Sequence, residues 1–329
     1  MGYNERNSDI QGDNRMKIAI MESLGIGEEE LAACKAPFEA MGHTFAEFAK
    51  TTHIPTLIEQ AKDADAMILA NMPMPAAVLE NCPNLKFVDI AFTGVDHVAM
   101  DVVRSRGMVA SNASGYSNEA VAELGVGLVI SLLRNVPQVE ARCRAGQTKD
   151  GLVGSELMGK TVGILGLGKI GKRSAALYHA FGCTVLASSR TVHADAPDYI
   201  RQVSREELLK ESDVVILHCP LNDSTRGLIN REALEMMKPT AVLVNLARGP
   251  VVVSRDLADA LNNGIIAGAA IDVFDKEPPL DPEEPLLHAK NTILTPHIAF
   301  ASHQSMSLRA KIVFENLKAW LEGKPQNVV

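Results

Sequence analysis

The stretch from Thr161 to Gly171, TVGILGLGKIG, constrains the fold of this chain more than any other feature. Its first half, up to Leu165, is β-branched and apolar, as expected of a strand buried on both faces. Gly166, Gly168 and Gly171 then give the spacing G-x-G-x-x-G. The first glycine permits a tight turn, the second lets a pyrophosphate approach the backbone, and the third lets a helix pack against the strand. The N–H groups at the start of that helix would face the phosphates.

The residues after the glycines determine how strongly this motif indicates a dinucleotide site. A helical face is predicted on Ile170, Ser174, Leu177 and Phe181, and Gly182 lies where a helix C-cap is expected. A new strand is predicted from Cys183 to Ser189. A lone G-x-G-x-x-G also occurs in ordinary strand–helix turns without a ligand, but the strand–helix–strand context favours a dinucleotide site.

Composition limits the classes of protein to consider. The chain has 329 residues, of which 47% are hydrophobic, and a formal net charge of −8. This length suggests two domains with real cores, and the net acidity argues against nucleic acid as a partner. No apolar run approaches the ~18 residues that span a membrane, and no apolar signal region is present, so a cytoplasmic protein is expected. The five cysteines and nine histidines lack metal-ligand spacing, which predicts free thiols and no metal site.

The first part of the chain predicts one α/β unit. Residues 1–15 are polar and are expected to be a poorly ordered leader. Short apolar strands are predicted to begin near Lys17, His43, Ala66, Phe87 and Met108. Helices are predicted between them, at Glu28 to Met41 and at Ile54 to Lys62. This alternation is typical of a parallel sheet with helices on both faces.

The pattern changes at Ser117, a predicted N-cap. The helix that follows is apolar over much of its circumference, which is typical of a helix that is central to a core or covered by another subunit. Pro137 is expected to kink or divide it. A polar connector from Gly146 to Gly159 then leads into the glycine motif.

A second α/β unit follows. Its strands are predicted near Thr161, Cys183, Val214, Ala241, Ala269 and Thr292. Helix starts are predicted from a capping box at Ser204 and Glu207 and from N-caps at Asn230 and Ser254. A last helix buries Met306, Ala310, Val313, Leu317, Trp320 and Leu321, and it ends at Gly323 and Pro325.

Four chemically capable side chains follow strands of the second unit. Arg248 follows one strand, Asp272 and Glu277 follow the next, and His297 follows the last. The carboxyl ends of parallel strands share one edge, where ligands bind in doubly wound folds. Each residue alone has an ordinary structural explanation, but together they suit hydride transfer to a 2-oxo acid. The guanidinium would hold a carboxylate, the imidazole would transfer a proton, and a carboxylate would orient and stabilise the imidazolium.

Several motifs resemble those of the D-isomer-specific 2-hydroxyacid dehydrogenases. They are FTGVDHV, NASGYSNEAVAEL, GLGKIG, LARGPVV, DVFDKEP and LTPHIA, and the match runs from Lys17 to Val329. The resemblance implies two doubly wound parallel-sheet α/β domains. A flavodoxin-like substrate domain would comprise residues 16–115 and 300–329, and a Rossmann dinucleotide-binding domain residues 116–299. It also implies a homodimer built on the nucleotide domains, which would cover the apolar helix after Ser117.

The resemblance assigns roles residue by residue. Arg248, Glu277 and His297 would be the catalytic trio. The backbone of Thr93, Gly94 and Val95, with Arg248, would bind the substrate. The cofactor would contact Gly166, Gly168, Lys169, Ile170, Gly171, Ser188, Ser189, Arg190, His218, Cys219, Pro220, Leu246, Ala247 and Asp272. Of these, Lys169 and Ile170 would lie under the pyrophosphate, residues 218–220 by the adenine, and Asp272 near the nicotinamide amide.

One departure from the family pattern concerns the cofactor. NAD-using members carry an aspartate at the end of the second strand of this unit, where it binds the ribose 2′-hydroxyl. This chain has Ser189 there, preceded by Ser188 and followed by Arg190 and Thr191. Hydroxyls and a positive charge without a carboxylate suit a 2′-phosphate, so NADP(H) is predicted, with NAD(H) as the alternative.

The sequence thus predicts a reductase of small 2-oxo acids that yields D-2-hydroxy acids. Glyoxylate or hydroxypyruvate, pyruvate, and bulkier branched or aromatic 2-oxo acids all remain open as substrates. Met72 and Met74 could shape the side-chain pocket or belong to the core. Two alternatives within the fold are a dehydrogenase of an inorganic oxyanion such as phosphite, and a nucleotide-sensing interaction protein of the corepressor type. The intact acid–base pair argues against the second.

Overall fold

A computed structural model describes residues 15–329 of the chain. The predicted leader lies outside this range except for Arg15. The chain forms two compact units. The first comprises the chain up to Tyr116 together with Met306–Val329, and the second comprises Ser117–Ser305.

Strands and helices alternate along most of the described chain. The strands are β1 (Lys17–Ile20), β2 (Thr44–Glu47), β3 (Ala66–Leu69), β4 (Phe87–Ile90), β5 (Val109–Asn112), β6 (Thr161–Leu165), β7 (Thr184–Ser188), β8 (Ile200–Gln202), β9 (Val214–Leu217), β10 (Val242–Asn245), β11 (Gly268–Ile271) and β12 (Thr292–Leu294). The α-helices are α1 (Glu28–Glu39), α2 (Ile54–Ala61), α3 (Ala76–Leu79), α4 (Met100–Ser105), α5 (Asn118–Leu133), α6 (Val136–Arg144), α7 (Lys169–Ala180), α8 (Arg205–Glu211), α9 (Arg231–Met236), α10 (Ser254–Asn262) and α11 (His303–Leu321). Two 3₁₀ turns lie at Gly249–Val251 and Pro285–His288.

The first unit contains a five-stranded parallel sheet with the order β2-β1-β3-β4-β5. This is the flavodoxin-like order. Every residue of β3 and β4 is buried, because helices cover both faces of the sheet. Most of α11 belongs to this unit, where Trp320 stacks on Phe87 of β4 with ring centroids 4.8 Å apart. The last helix of the chain therefore completes the core of the first unit.

The second unit contains a seven-stranded parallel sheet with the order β12-β11-β10-β9-β6-β7-β8. The strand order reverses at β6, which carries the glycine motif and lies between β9 and β7. Alternate residues of each strand enter two cores on opposite faces. On β6, for example, Val162 and Ile164 lie in one core and Leu165 in the other. The prediction of two doubly wound parallel-sheet domains is confirmed.

Two of the predicted helix starts have side-chain caps. Ser204 Oγ accepts a hydrogen bond from the N–H of Glu207 at 3.1 Å, and Asn230 Oδ1 accepts one from Ala233 at 3.0 Å. Ser254 is not an N-cap, because α10 already begins at Ser254 and Val253 holds the cap position. Ser117 holds the cap position of α5 but makes no side-chain cap bond.

The buried face predicted for α7 is confirmed except at Phe181, because Ser174 is buried and Ile170 and Leu177 pack against the core of the second unit. Its fully buried residues are Gly171, Ser174, Ala175 and Tyr178. Phe181 lies beyond the end of the helix and is exposed, since the helix has already ended at Ala180. Gly171, Ser174 and Ala175 are small and buried, so they let α7 lie close to the sheet.

The apolar stretch after Ser117 is divided as predicted, into α5 and α6, which meet at 63°. Asn135 takes a left-handed conformation at the break, with φ 52°, and Pro137 lies in the first turn of α6. Within residues 15–329, no single helix is long and apolar enough to cross a membrane. Only α5 and α6 taken together reach the required length and composition, across this bend. The cytoplasmic location stays a prediction.

Candidate active site

The three motif glycines of β6 and α7 create an open cradle in the second unit. A Cβ atom on Gly166 would lie 2.5 Å from the nitrogen of Cys219, and Gly166 has φ +104°, so only glycine fits. A Cβ on Gly171 would lie 2.1 Å from the carbonyl oxygen of Gly166. A Cβ on Gly168 would meet no heavy atom within 4 Å. The first and third glycines thus permit close backbone packing, while the second leaves space.

The start of α7 faces this space. The helix begins at Lys169, and Gly168 at its N-cap offers no side chain. The first N–H groups of a helix have no acceptor within it and carry the positive end of the helix dipole. Main-chain donors and an open approach together fit the pyrophosphate of a dinucleotide.

The turn after β7 lies beside the cradle, because Ser188 pairs with Leu165 at the end of β6. Ser189 Oγ donates to the carbonyl of Thr191 at 2.7 Å, and the Arg190 side chain is exposed. The loop continues to His193, whose N–H and carbonyl both bond the side-chain amide of Gln202, each at 2.8 Å. A clamped loop therefore presents the serine and arginine that the sequence singled out.

The segment after β9 closes the other side of the cradle. His218 Nε2 lies 2.8 Å from Ser174 Oγ on α7, and burial lowers the pKa of His218 to about 4. This imidazole is therefore neutral near pH 7. Burial raises the pKa of the Cys219 thiol to about 11, so it stays protonated, while Pro220 is exposed. The main chain of this segment meets Gly166 directly.

Arg248 lies in a turn held by Asn245. The side chain of Asn245, almost fully buried at the end of β10, donates to the carbonyl of Arg248 at 3.0 Å and accepts from the N–H of Ala247 at 3.1 Å. Leu246 and Ala247 between them are buried. A Cβ on Gly249 would lie 1.9 Å from the carbonyl carbon of Phe274, so this glycine is required where the ends of β10 and β11 meet.

Asp272 organises the turn that carries His297. The carboxylate is fully buried at the end of β11. Its Oδ1 accepts from Thr295 Oγ1 at 2.6 Å and from the N–H of Ile298 at 2.8 Å, and its Oδ2 accepts from the N–H of Ala299 at 2.9 Å. The main-chain carbonyl of Asp272 accepts from the N–H of His297 at 2.8 Å. This positioning role was not foreseen from the sequence, and the predicted contact of Asp272 with the nicotinamide amide stays a prediction.

His297 and Glu277 form the acid–base pair. His297 Nδ1 lies 3.0 Å from Glu277 Oε2, with the imidazole largely buried and the carboxylate half exposed. The ring of Phe300 stands edge-on to the imidazole, 5.3 Å between centroids. A carboxylate on one ring nitrogen orients the imidazole and stabilises its protonated form, which leaves the other nitrogen for proton transfer.

The remaining predicted residues lie in the first unit. Thr93, Gly94 and Val95 form the loop that follows β4 and are partly buried. Met72 and Met74 are fully buried, which favours their interpretation as core residues. Within residues 15–329, no cluster of three or more histidine, cysteine or acidic side chains could hold a metal ion.

The sequence analysis did not identify the roles of two further residues of the second unit. Asn245 was detectable as a polar residue inside the apolar run AVLVNLA. Ser174 had no such signal, because a serine on a helix face is common and its partner His218 is distant in the chain.

A seven-stranded Rossmann sheet, a glycine cradle at its switch point and a histidine–carboxylate pair at the same sheet edge define a nicotinamide-dependent oxidoreductase. Residues 126–299 match the model of the family described as D-isomer specific 2-hydroxyacid dehydrogenase, NAD binding domain. The chain belongs to this family, as its motifs indicated.

Relatives match over most of the chain. A hydroxypyruvate reductase of Blautia hydrogenotrophica is 33% identical over 95% of this chain and 99% of its own length. A glyoxylate reductase of Korarchaeum cryptofilum is 38% identical over 83% of this chain and 85% of its own length.

Solved structures agree with this assignment. An acyclic imino acid reductase, Bsp5, in complex with NADPH and D-Arg superposes with a TM-score of 0.87 at 26% identity, covering 95% of this chain and all of its own. The D-lactate dehydrogenase of Aquifex aeolicus, complexed with NAD and lactic acid, superposes with a TM-score of 0.83 at 25% identity, covering 94% of this chain and 96% of its own.

Proposed function

We propose that this protein reduces a small 2-oxo acid of the glyoxylate or hydroxypyruvate type to the D-2-hydroxy acid, with NADPH preferred over NADH. The observation that carries the proposal is the 3.0 Å pair of His297 and Glu277 at the sheet edge that also bears the glycine cradle. Two relatives named as hydroxypyruvate and glyoxylate reductases support the choice of substrate.

Each residue of the trio has a distinct task in this reaction. Reduced nicotinamide, when bound, supplies the hydride. His297 donates a proton to the oxygen that becomes the hydroxyl, and Glu277 stabilises its charged form. Arg248 makes paired hydrogen bonds with the substrate carboxylate and polarises the carbonyl. The main chain of Thr93, Gly94 and Val95 supplies further donors to that carboxylate.

The preference for NADPH rests on the turn after β7. Ser188 and Ser189 supply hydroxyls and Arg190 an exposed positive charge, with no acid at the position that would repel a 2′-phosphate. The Bsp5 neighbour was solved with NADPH and the Aquifex aeolicus neighbour with NAD, so the fold accepts both cofactors.

The active form is proposed to be a homodimer. The segment that follows α5 exposes three large apolar side chains, with Val136 45%, Met158 73% and Val153 81% accessible. Apolar exposure of this kind is typical of an interaction surface. Sedimentation equilibrium of the wild type and of Val153→Asp tests the assignment, and a wild-type monomer would exclude it.

The decisive experiment is NAD(P)H consumption with a panel of glyoxylate, hydroxypyruvate, pyruvate and bulkier 2-oxo acids. We expect turnover that is fastest with one of the first two acids and a product of D configuration. Oxidation of phosphite with NAD(P) would indicate the inorganic substrate instead. NADPH binding without turnover of any compound would favour a nucleotide-sensing interaction protein.

A further inference from the structure

We propose that Asn112 is a positioning residue for the substrate carboxylate, and that the C-terminal residues of the chain hold Asn112 in place. The proposal rests on the proposed function, because it concerns the Thr93–Gly94–Val95 loop. It adds a residue outside the catalytic trio and gives the last residues of the chain a part in substrate binding.

Asn112 cross-links two loops of the first unit. It is the last residue of β5 and is almost fully buried. Its Nδ2 donates to the carbonyl of Thr93 at 2.7 Å, and its Oδ1 accepts from the N–H of Ser114 at 3.2 Å. The hydroxyl of Thr93 is buried without a hydrogen-bond partner among the described residues, so this side chain does not hold the loop itself. The loop is held instead by the side-chain amide of Asn112.

The bond to Thr93 determines where the next main-chain donor points. In a trans peptide unit, the carbonyl and the following N–H point in opposite directions. Because the Thr93 carbonyl is directed at Asn112, the N–H of Gly94 is directed away from it. Within residues 15–329, no protein group accepts a hydrogen bond from this N–H. Asn112 therefore presents a free, oriented donor of the kind that binds a carboxylate.

The C-terminal segment fixes Asn112 in turn. The N–H of Asn112 donates to the carbonyl of Asn327 at 3.0 Å, and its carbonyl accepts from Asn316 Nδ2 at 3.1 Å. Asn327 Nδ2 donates to Asn316 Oδ1 at 2.8 Å, which closes a ring of three asparagines. The segment also pairs along β5, where Ser111 Oγ donates to Gln326 at 2.6 Å.

The orientation of the Asn316 amide is determined by its partners. Its Nδ2 faces the main-chain carbonyl of Asn112 and also donates to Asp89 Oδ1 at 3.1 Å. A carbonyl can only accept, so the amide cannot be flipped. The ring therefore has one arrangement, and a change at Asn327 is transmitted to Asn112.

The test compares Asn112→Asp with the wild type. Aspartate keeps the size and the acceptor for Ser114 but replaces the Nδ2 donor with an acceptor that faces the Thr93 carbonyl. Loss of a hydrogen bond with a repulsive contact in its place corresponds to about a ten-fold rise in KM for the 2-oxo acid. The dissociation constant of NADPH and kcat should change less than about three-fold, because neither reports on the carboxylate donor.

A second variant avoids dependence on the folding of Asn112→Asp. Asn327 has φ +51°, so Asn327→Gly keeps the backbone conformation and removes only the side-chain bond to Asn316. It should raise the same KM by about three-fold. Asn81→Asp is the matched control, because Asn81 Nδ2 donates to a main-chain carbonyl at 2.8 Å elsewhere in the unit. Its KM should stay at the wild-type value.

The outcomes separate this proposal from the proposed function. An unchanged KM in folded, active Asn112→Asp, or equal losses of NADPH and 2-oxo acid affinity, would overturn the role of Asn112. A wild type without 2-oxo acid turnover would instead overturn the proposed function. In that case, the role of Asn112 is decided by comparing oxalate binding to the wild type and to Asn112→Asp, measured as a thermal shift. Weaker binding to Asn112→Asp supports it, and equal binding refutes it.

Discussion

His297 has a left-handed backbone, with φ +57°, a conformation that residues other than glycine seldom adopt. The buried carboxylate of Asp272 holds this turn by accepting hydrogen bonds from the residues on both sides of His297. Strain of this kind persists only where the surroundings determine the conformation. The imidazole is thus placed by a residue that does not touch it.

The first prediction concerns proton transfer. His297→Ala should lower kcat for 2-oxo acid reduction by about two to four powers of ten, the usual contribution of a general acid. Glu277→Gln should lower kcat less, because the amide still contacts the imidazole but cannot stabilise its positive charge. Steady-state kinetics at saturating cofactor measure both. An inactive Glu277→Gln beside an active His297→Ala would reverse the two roles.

The second prediction concerns substrate binding by Arg248. Arg248→Ala should raise KM and lower kcat together, because the guanidinium acts on both the bound substrate and the transition state. Arg248→Lys should recover only part of kcat/KM, since an ammonium cannot form the paired contact. The kcat/KM of Asn245→Ala should lie between those of Arg248→Ala and Arg248→Lys, because this change removes only the bonds that hold the turn of Arg248. Wild-type kinetics for Arg248→Ala would place the substrate elsewhere.

At the scale of elements, the loop between β7 and β8 is built as a unit. Gln202 bonds both main-chain groups of His193, and Lys172 of α7 pairs with Asp195 at 2.5 Å. These contacts fix the segment that begins with Ser189 and Arg190 at its far end, at His193 and Asp195. The loop to which the proposed NADPH preference is assigned is therefore held by side-chain contacts.

The third prediction follows from this loop. Arg190→Ala should lower kcat/KM for NADPH by about ten-fold and leave that for NADH nearly unchanged, because only NADPH carries the 2′-phosphate. Ser189→Asp should reverse the preference by repelling that phosphate. Initial rates with both cofactors at a fixed 2-oxo acid concentration measure the ratio. Equal losses of kcat/KM with NADPH and NADH would show that the loop does not contact the 2′-phosphate.

At the scale of the whole molecule, buried titratable groups link stability to pH. Burial lowers the pKa of His218 from 6.5 to about 4. Between these values the unfolded chain binds more protons than the folded one, so the free energy of unfolding falls as pH is lowered from 6.5 to 4. Burial also raises the pKa of Asp89 well above 3.8, so this group contributes with the opposite sign and destabilises the fold as pH rises.

The fourth prediction isolates the contribution of His218. The wild type should lose about 3 kcal/mol more stability than His218→Gln between pH 7 and pH 4. Urea unfolding at several pH values, with the exposed His53→Gln as control, measures the difference. Identical pH slopes for the wild type and His218→Gln would mean that His218 titrates normally in the folded protein.

The sequence by itself determined the local features of the protein. Alternating apolar strands and helices, the spacing of Gly166, Gly168 and Gly171, and the caps at Ser204 and Asn230 were all detectable. The short elements α3, α4 and β8 were not, because so few residues carry no clear periodicity. Four candidates for the site could be named because each follows a strand and parallel strands end at one edge, and the family resemblance then selected Arg248, Glu277 and His297 as the trio.

Only the tertiary structure decided which groups support that site. Asp272, which is predicted to lie near the nicotinamide, bonds the His297 turn, and Asn245 and Asn112 hold loops through main-chain contacts. The ring of asparagines joins residues 112, 316 and 327, which are far apart in the chain. Sequence patterns report the period of a strand or helix. They contain no information about which distant polar groups meet, because such pairs depend on how the elements pack.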